Sequence, residues 1–256
     1  MFYQEKLFLD NFIKLIKECN EIILNIYKTD FEVYNKDDES PLTMADKMCN
    51  DHICKYLNSL NIKNSKIISE ENKNDEYINR KDIEWIWLVD PVDGTKEFVK
   101  KNGQFTVNIG LCQNGIPVFG IVSIPVTGEI YYGIKGLGSF KLYNNNLKKL
   151  EILDKKLSKK GVRVVASSSH MNDKTREFIE KYNEPIIIST GSSIKLLWIA
   201  ENKADIYPRI APTSEWDTCA AHAVVKYAGG NVINYDTEIE LVYNKENLLN
   251  PFFICI

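Results

Sequence analysis

The sequence predicts a layered α/β protein, in which sheets are covered by helices. Residues 85–89 (WIWLV) are all apolar, as expected for a strand that is covered on both faces. Several strand-like segments follow this run, and Asn114-Gly115 is a strong hairpin signal between two of them. From residue 162 onward, strand-like and helix-like segments alternate, which is typical of sheets with helices packed on them.

The chain begins with an amphipathic helix over residues 1–28, since its apolar positions recur at helical spacing. We expect this helix to pack on the body of the protein, with a membrane surface as the alternative. After a polar turn at residues 36–40, a second helix runs to about Leu57, with Thr43 as its N-cap and Asp46 at the third position. A short strand at residues 66–69 follows.

The apolar run at residues 85–89 ends in two carboxylates, Asp90 and Asp93. Pro91 holds Asp90 extended, and we predict a tight turn that brings Asp93 to the same side. Gly94 leaves room for a ligand, and Thr95 opens a segment whose free helical N–H groups suit a phosphate. The two carboxylates could bind a cation, and the neighbouring backbone N–H groups could bind a phosphate. Together they predict a site for the hydrolysis of phosphate esters. The alternative is a capped turn without a ligand. The acids lack the alternate spacing of an EF-hand calcium loop.

The remaining elements are predicted as an antiparallel meander and then an alternating series. The meander strands lie at 105–112, 117–124, 129–134 and 139–142. The later strands are placed at 162–166, 185–189 and 205–207, and the helices at 173–182, 193–201 and 216–227. The lysine-rich stretch at 154–160 is the candidate junction between two domains, at residues 1–155 and 156–256.

Composition excludes several classes of protein. The 256 residues, 44% hydrophobic and 26% charged, are ordinary for a soluble globular protein. The net charge of −3 gives no broad attraction to nucleic acid, so no nucleic-acid partner is predicted. The sequence has no uninterrupted apolar run of the kind that a spanning helix or a secretion signal needs, so neither is predicted. The six cysteines are therefore expected as reduced thiols in a cytoplasmic protein, with attachment to the inner face of the membrane as the alternative.

Four acidic side chains fall where predicted elements begin or end: Glu70, Asp90, Asp93 and Asp217. Sites in layered α/β folds gather at such ends. If the four converge, their repulsion demands divalent cations, and oxygen ligands favour Mg²⁺ over zinc. Spacing leaves another interpretation open, in which Glu70 is a solvated charge and Asp217 only complements a helix dipole.

Seven segments of the chain resemble segments of a known enzyme family and occur in that family's order. Together they extend over nearly the whole chain. They are SPLTMAD at 40–46, ISEE at 68–71, WLVDPVDGTKEFVKKNGQFTVNIG at 87–110, ASSSH at 166–170, GSSIK at 191–195, YPR at 207–209 and EWDT at 215–218. Together they resemble the bacterial 3'(2'),5'-bisphosphate nucleotidases of the Mg²⁺-dependent, lithium-sensitive inositol monophosphatase superfamily. KEF after DGT favours this branch, because inositol monophosphatases more often show T-x-N-F there. The resemblance implies a five-layer αβαβα sandwich.

The resemblance also implies roles for individual residues. Glu70, Asp90 and the carbonyl of Val92 would hold one Mg²⁺, and Asp90, Asp93 and Asp217 would hold a second, in a site for two or three ions. Thr95, oriented by Asp46, would help to deprotonate the attacking water, with Glu70 in the same catalytic set. The amides of Gly94 and Thr95 would grip the scissile phosphate. The implied substrate pocket comprises Glu70, Val92, Asp93, Gly94, Thr95, Ser167, His170, Gly191, Lys195, Arg209 and Asp217.

The implied activity is removal of the 3'-phosphate of adenosine 3',5'-bisphosphate, giving AMP and phosphate, and action on its sulfated analogue PAPS, in sulfur metabolism. Inositol monophosphatase or fructose-1,6-bisphosphatase activity is one alternative, and a non-catalytic nucleotide-binding regulator is another. A monomer or homodimer is expected. Gln104 stands where the family usually has Glu, and Ala211 and Ala221 stand where glycines are common. His222, inside the last helix, is expected to be a packed core residue.

Overall fold

The computed structural model describes residues 1–30, 32–35, 41–153, 157, 159–166 and 171–256. The predicted turn at 36–40 and the predicted pocket residues Ser167 and His170 lie outside these ranges, as does most of the predicted junction at 154–160. The division into two domains stays a prediction.

Six helices and fourteen strands are defined in the described ranges, besides two 3-10 turns at Phe2–Gln4 and Tyr77–Asn79. The helices are α1 (Lys6–Tyr27), α2 (Met44–Ser59), α3 (Thr95–Val99), α4 (Asp173–Ile179), α5 (Ile194–Ala200) and α6 (Glu215–Tyr227). The strands are β1 (Val33–Asn35), β2 (Pro41–Thr43), β3 (Ser65–Ser69), β4 (Trp85–Asp93), β5 (Thr106–Gln113), β6 (Ile116–Ile124), β7 (Glu129–Ile134), β8 (Gly138–Tyr143), β9 (Asn146–Leu150), β10 (Arg163–Ala166), β11 (Ile186–Ser189), β12 (Tyr207–Arg209), β13 (Val232–Asn234) and β14 (Phe253–Cys255).

A seven-stranded sheet in the order β3-β4-β5-β6-β7-β8-β9 forms the first half. Strand β3 runs parallel to β4, and each later pair is antiparallel, so the predicted meander is confirmed. Asn114 and Gly115 have φ of 49° and 78°, the left-handed conformation that a tight type I′ hairpin requires. Strand β9 was not predicted, since its polar sequence lacks a buried face.

The second half contains two small sheets that are joined edge to edge. Strands β10 and β11 pair in parallel, and β12, β14 and β13 form an antiparallel sheet in that order. A parallel bridge between Val164 and Ile206 links the two. Strand β12 begins at Tyr207, two residues later than predicted, because the backbone of Asp205 and Ile206 is bonded to Arg163 instead. Strands β13 and β14 were not predicted.

The elements stack in five layers, which confirms the predicted αβαβα sandwich. Helices α1 and α2 cover the outer face of the seven-stranded sheet around a core that includes Phe12 and Trp87. Helices α5 and α6 lie between the two halves, in a core shared by Val122 of β6 and Phe253 of β14. Helix α4 covers the far side of the small sheets through Phe178 and Ile179.

Helix α1 packs on the body of the protein, as predicted. Its apolar side, which includes Phe8, Phe12 and Ile16, is buried, and the ring centroids of Phe12 and Trp87 lie 5.4 Å apart. Because this face is covered by protein, it is not available to a membrane surface. In the part of the chain that the structure describes, no helix has the length and apolar character needed to cross a membrane.

Helix α6 lies unusually close to the large sheet because glycines occupy the strands beneath it. Gly110, Gly120 and Gly133 are neighbours in the β5, β6 and β7 register. A Cβ atom at Gly120 would lie 2.2 Å from the backbone oxygen of Ala220, so only glycine permits this packing. The sheet therefore fixes the height of α6, and with it the position of the Asp217 side chain in the first turn.

Candidate active site

The two acids that follow the apolar run remain within strand β4, so the predicted tight turn is wrong. Asp90 pairs with Asn108 and Asp93 pairs with Thr106, with an irregular register between the two pairs. Between these two pairs, strand β4 advances by three residues while β5 advances by two, which is a β-bulge. One extra residue shifts the alternation of side chains, and this directs both carboxylates to the same side of the sheet.

Glu70, Asp90 and Asp217 come together at this bulge. One carboxylate oxygen from each residue lies within 4.8 Å of the others. Glu70 directly follows β3, Asp90 lies in β4, and Asp217 is in the first turn of α6. Asp93 is not a member of this trio but lines the same cavity. Such crowded carboxylate oxygens are ligands that hard divalent cations prefer.

The electrostatics of the trio favour a bound cation. The pKa of Asp90 is raised well above its usual range by burial and by the charges of Glu70 and Asp93. Burial, Asp93 and Glu70 raise the pKa of Asp217 to about 8. The charge of Arg209 only partly opposes the rise for Asp217. Crowded carboxylates at a largely buried site are costly, and a divalent cation would relieve that cost.

Three aspartates share one hydrogen-bonding pattern, in which a backbone N–H holds one carboxylate oxygen. Asp90 Oδ1 accepts from the N–H of Val92 at 3.0 Å, and Asp217 Oδ2 accepts from that of Ser214 at 2.9 Å. Asp93 Oδ2 accepts from the N–H of Ser193 at 2.6 Å. No described protein donor bonds the second oxygen of any of the three, so one oxygen each remains for a cation.

Asparagine side chains hold the turn that carries Glu70. The amide of Asn74 bonds both the N–H and the C=O of Ser69, each at 3.0 Å, and so replaces a strand partner at the sheet edge. Ser69 Oγ donates to Asn50 at 2.7 Å. The N–H of Glu70 itself donates to Val89 of β4 at 3.1 Å. These bonds fix the backbone from which the Glu70 carboxylate projects.

Thr95 and Asp46 form a second polar unit beside the trio. As predicted, Thr43 is the N-cap of α2 and Asp46 is the third helical residue, and the two complete a capping box. Asp46 Oδ1 is left to accept from Thr95 Oγ1 at 3.2 Å, and Thr95 Oγ1 also lies 3.1 Å from the carbonyl oxygen of Val92. Asp46 is only 1% exposed, so this contact is sheltered from water.

A cavity of about 230 Å³ joins most of the predicted residues. It is lined by nine of them: Glu70, Asp90, Asp93, Gly94, Thr95, Gly191, Lys195, Arg209 and Asp217. Asp46 and Val92 are not part of the lining. Gly94 has a φ of 93°, and a Cβ there would lie 3.2 Å from the Gln104 carbonyl oxygen, which explains the need for glycine at the start of α3.

The wall of this cavity that α5 and β12 provide is basic. Lys195 is 5% exposed, and its ammonium donates to the carbonyl of Ser192 at 2.6 Å. Burial, opposed by the charge of Asp93, lowers the pKa of Lys195 to about 8. Arg209 donates from Nη2 to the carbonyl of Pro212 at 2.8 Å, while its buried Nε has no partner in the described structure. Two cations beside an unsatisfied donor suit an anionic group of a ligand.

Several residues that shape the site were not predicted as site residues. Ser192 and Ser193 contact Asp93 directly, and Tyr207, Lys96 and Glu97 line the cavity. Gln104, noted in the sequence only as a departure from the family pattern, accepts the Gly191 N–H at 2.8 Å. The resembling segments contain all of these positions, but only their contacts distinguish them from neighbouring residues.

The layered fold and the acidic site define a family. The model of the inositol monophosphatase family matches residues 6–251, and the chain belongs to this family. Within the family, it is 36% identical over 247 residues to the 3'(2'),5'-bisphosphate nucleotidase CysQ of Salmonella typhimurium, covering 96% of this chain and 98% of the relative. It is 39% identical over 236 residues to CysQ of Buchnera aphidicola, covering 88% and 83% of the two chains.

Solved structures agree with this assignment. The crystal structure of CysQ from Bacteroides thetaiotaomicron matches with a TM-score of 0.82 and 39% identity, covering 95% of this chain and 94% of that one. An IMPase of Thermotoga maritima matches with a TM-score of 0.77 over 96% and 91% of the chains, and at 23% identity it supports the fold alone. The family resemblance inferred from the seven segments is thus confirmed.

Proposed function

We propose that the protein is a Mg²⁺-dependent 3'(2'),5'-bisphosphate nucleotidase that removes the 3'-phosphate of adenosine 3',5'-bisphosphate, giving AMP and phosphate. It serves sulfur metabolism in the cytoplasm. The observation that carries this proposal is one cavity that is lined both by the Glu70, Asp90 and Asp217 trio and by Lys195 and Arg209. The acids suit the metal ions at the scissile phosphate, and the basic side chains suit a second anionic group of the same substrate. The CysQ relatives bear this activity in their names.

The same residues that the family resemblance implies would hold the metal ions. Glu70, Asp90 and the Val92 carbonyl would hold one Mg²⁺, and Asp90, Asp93 and Asp217 would hold another, with two or three ions in all. The free oxygens of the three aspartates and their raised pKa values support it. When bound, Mg²⁺ neutralises charge on the phosphate and makes water easier to deprotonate.

Thr95 and Asp46 move the proton of the attacking water. Thr95 Oγ1 has one proton and two acceptors within reach, the carboxylate of Asp46 and the carbonyl of Val92. When that proton is directed to Asp46, the lone pairs of Oγ1 face away from the carboxylate and are open to the water. As Oγ1 takes a proton from the water, its own proton passes to the Asp46 carboxylate, which leaves a hydroxide, a neutral Thr95 and a protonated Asp46. Burial of Asp46 keeps the contact free of competing solvent.

Recognition of a second phosphate separates this substrate from a monophosphate. In the proposed arrangement the amides of Gly94 and Thr95 hold the scissile phosphate, and Lys195 or Arg209 binds the other one. An inositol monophosphate would leave the buried Lys195 ammonium and the Arg209 Nε without an anion. Ser167 and His170 stay predicted members of the nucleotide pocket.

Phosphate release under Mg²⁺ from three substrates tests the proposal: adenosine 3',5'-bisphosphate, inositol 1-phosphate and fructose 1,6-bisphosphate. We expect the highest kcat/KM for the nucleotide and inhibition by added lithium. Equal or faster turnover of either alternative ester would refute the substrate assignment. If no ester releases phosphate but the nucleotide binds, the protein is a non-catalytic binder instead.

A further inference from the structure

A buried cluster of polar side chains surrounds one oxygen of Asp93. We call it the Asp93 clasp; it consists of Thr106 and Asn108 of β5 and of Ser192 and Ser193, which precede α5. Asp93 Oδ2 accepts from Ser192 Oγ and from the Ser193 N–H, both at 2.6 Å, and Thr106 Oγ1 lies 3.4 Å away. Ser193, Thr106 and Asn108 are almost wholly buried.

Thr106 Oγ1 is the hub of the clasp. It lies 2.6 Å from Ser192 Oγ, 2.7 Å from Ser193 Oγ and 3.0 Å from Asn108 Nδ2, which donates to it. Ser193 Oγ donates in turn to Asn108 Oδ1 at 2.8 Å. Because the Ser193 proton is directed to Asn108 and the Ser192 proton to Asp93, the single Thr106 proton is available to one or the other serine oxygen. A buried network with every member bonded holds its side chains in one arrangement.

The clasp joins two parts of the site that are far apart in sequence. Asp93 and Thr106 face each other across the β4 and β5 strands, whereas Ser192 and Ser193 belong to the segment that carries Gly191 and Lys195. The Lys195 ammonium bonds the carbonyl of Ser192, so the basic wall is anchored to the same segment. Asp93 is therefore held by strand β5 and by the segment before α5, through contacts to Oδ2. Among the described residues, no hydrogen bond to its Oδ1 is found.

From this geometry we infer that Thr106, Ser192, Ser193 and Asn108 are positioning residues of the reaction. They hold Asp93 so that Oδ1 faces the cation, and they set the distance between the acidic trio and Lys195. The inference rests on the proposed function, since it assigns Asp93 to a metal. Loss of a residue that orients a metal ligand typically weakens metal binding by about 10- to 100-fold.

Thr106→Val tests the inference, because valine keeps the shape of threonine and removes the hub oxygen. Calorimetric titration with Mg²⁺ without substrate should show a dissociation constant about 10- to 100-fold higher than that of the wild type. The KM for the nucleotide should rise as well, because the Lys195 segment is released. Thr106→Ser restores the oxygen and should return both values to within about threefold of the wild type. Ser192→Gly is a second variant, and glycine suits the φ of 56° at that position.

Ser123→Ala is the matched control. Ser123 is a fully buried hydroxyl of the same sheet, bonded to Asn20 at 2.6 Å and absent from the cavity lining. It should lose thermal stability and keep the Mg²⁺ dissociation constant. If Thr106→Val and Ser192→Gly bind Mg²⁺ as tightly as the wild type does, the clasp only stabilises the fold and the inference is overturned.

The same titration separates this inference from the proposed function. A wild type that binds Mg²⁺ but hydrolyses no bisphosphate contradicts the proposed function, while weaker binding by Thr106→Val would still support the clasp. A wild type that binds no Mg²⁺ overturns both.

Discussion

Asp90 of strand β4 and Asp217 of helix α6 are 127 positions apart in the chain, yet each has a carboxylate oxygen within 4.8 Å of the other. In each, one carboxylate oxygen accepts a backbone N–H. A buried and a half-buried acid held this close are unfavourable without a cation between them. The metal-free site therefore lowers the stability of the fold, and metal binding should restore it.

Asp90→Asn should separate stability from activity. The variant replaces a buried carboxyl group whose pKa is raised by burial and by Glu70. The free energy of unfolding of the metal-free protein should therefore increase on the order of 1 kcal/mol, which corresponds to about 2–4 °C in melting temperature. Phosphate release should fall roughly a thousandfold, because a shared metal ligand is lost. Melting curves with and without Mg²⁺ measure the stability, and a phosphate-release assay measures the activity.

Asp236→Asn, in an exposed turn, is the control. A variant that keeps the Mg²⁺-dependent rise in melting temperature would contradict the role of Asp90.

Thr95→Val should lower kcat by about 10²- to 10⁴-fold while the Mg²⁺ dissociation constant stays within a few fold. The variant removes the hydroxyl that links Asp46 to the site and leaves the carboxylate trio in place. Asp46→Asn should cause a similar loss, and the double variant should be no worse than the single ones, since both residues act on one proton. Additive losses in single-turnover kinetics would show that the two residues act separately.

Gly120→Ala should displace helix α6 and lower both the free energy of unfolding and the activity. Its new Cβ would lie 2.2 Å from the Ala220 oxygen, and the cost should be about 3 kcal/mol, at the upper end for overpacking. Because α6 carries Asp217, the Mg²⁺ dissociation constant should rise too. Gly128→Asn is the control, since nothing lies within 4 Å of a Cβ there and asparagine tolerates its φ of 74°. Urea denaturation and a Mg²⁺ titration measure the two effects; an unchanged free energy of unfolding would contradict the close packing.

The contribution of His222 to stability should fall as the pH is lowered from about 6.5 to 5.5, because His222 is buried and neutral. As expected from the sequence, His222 is a core residue, bonded through Nδ1 to Tyr243 at 2.9 Å and through Nε2 to Glu240 at 3.0 Å. Burial lowers its pKa, although Glu240 opposes this and Lys226 adds to it. At this residue the unfolded chain therefore binds more protons in this range, and the contribution to the slope is at most about 1.4 kcal/mol per pH unit. The raised pKa values of Asp90 and Asp217 act in the opposite direction, so the contribution of His222 is measured as a difference between the wild type and a His222 variant.

Glu240 does not contribute to that slope. The hydrogen bond from His222 lowers the Glu240 pKa to about 2, so the stability it provides is lost only below pH 4.5. As the pH is lowered from 6.5 to 5.5, the wild type should lose stability relative to His222→Gln, as followed by urea denaturation of both at each pH. His52→Gln, in the partly exposed pair with Glu18, should keep the wild-type slope. A His222→Gln curve parallel to that of the wild type would contradict a neutral, buried His222.

Local signals in the sequence were sufficient for much of the fold. The α2 start was predictable because Thr43 and Asp46 are three residues apart and bond within one turn. The β4 bulge was not, since it depends on pairing with β5, which a chain segment does not encode by itself. Strands β13 and β14 are three residues long and gain their partners only from the folded sheet. Likewise, the Asp93 clasp joins residues up to 100 positions apart, and no spacing rule indicates it.

A crystal of the protein soaked in Mn²⁺, as an anomalous substitute for Mg²⁺, would show directly whether the acidic trio binds a metal. Anomalous peaks are expected within about 2–2.3 Å of oxygens from Glu70, Asp90 and Asp217, with a peak also beside Asp93 Oδ1. The same soak of Asp90→Asn should lose them. A well-ordered wild-type crystal with no peak at these carboxylates, under Mn²⁺ concentrations that support phosphate release, would show that they are not the metal ligands.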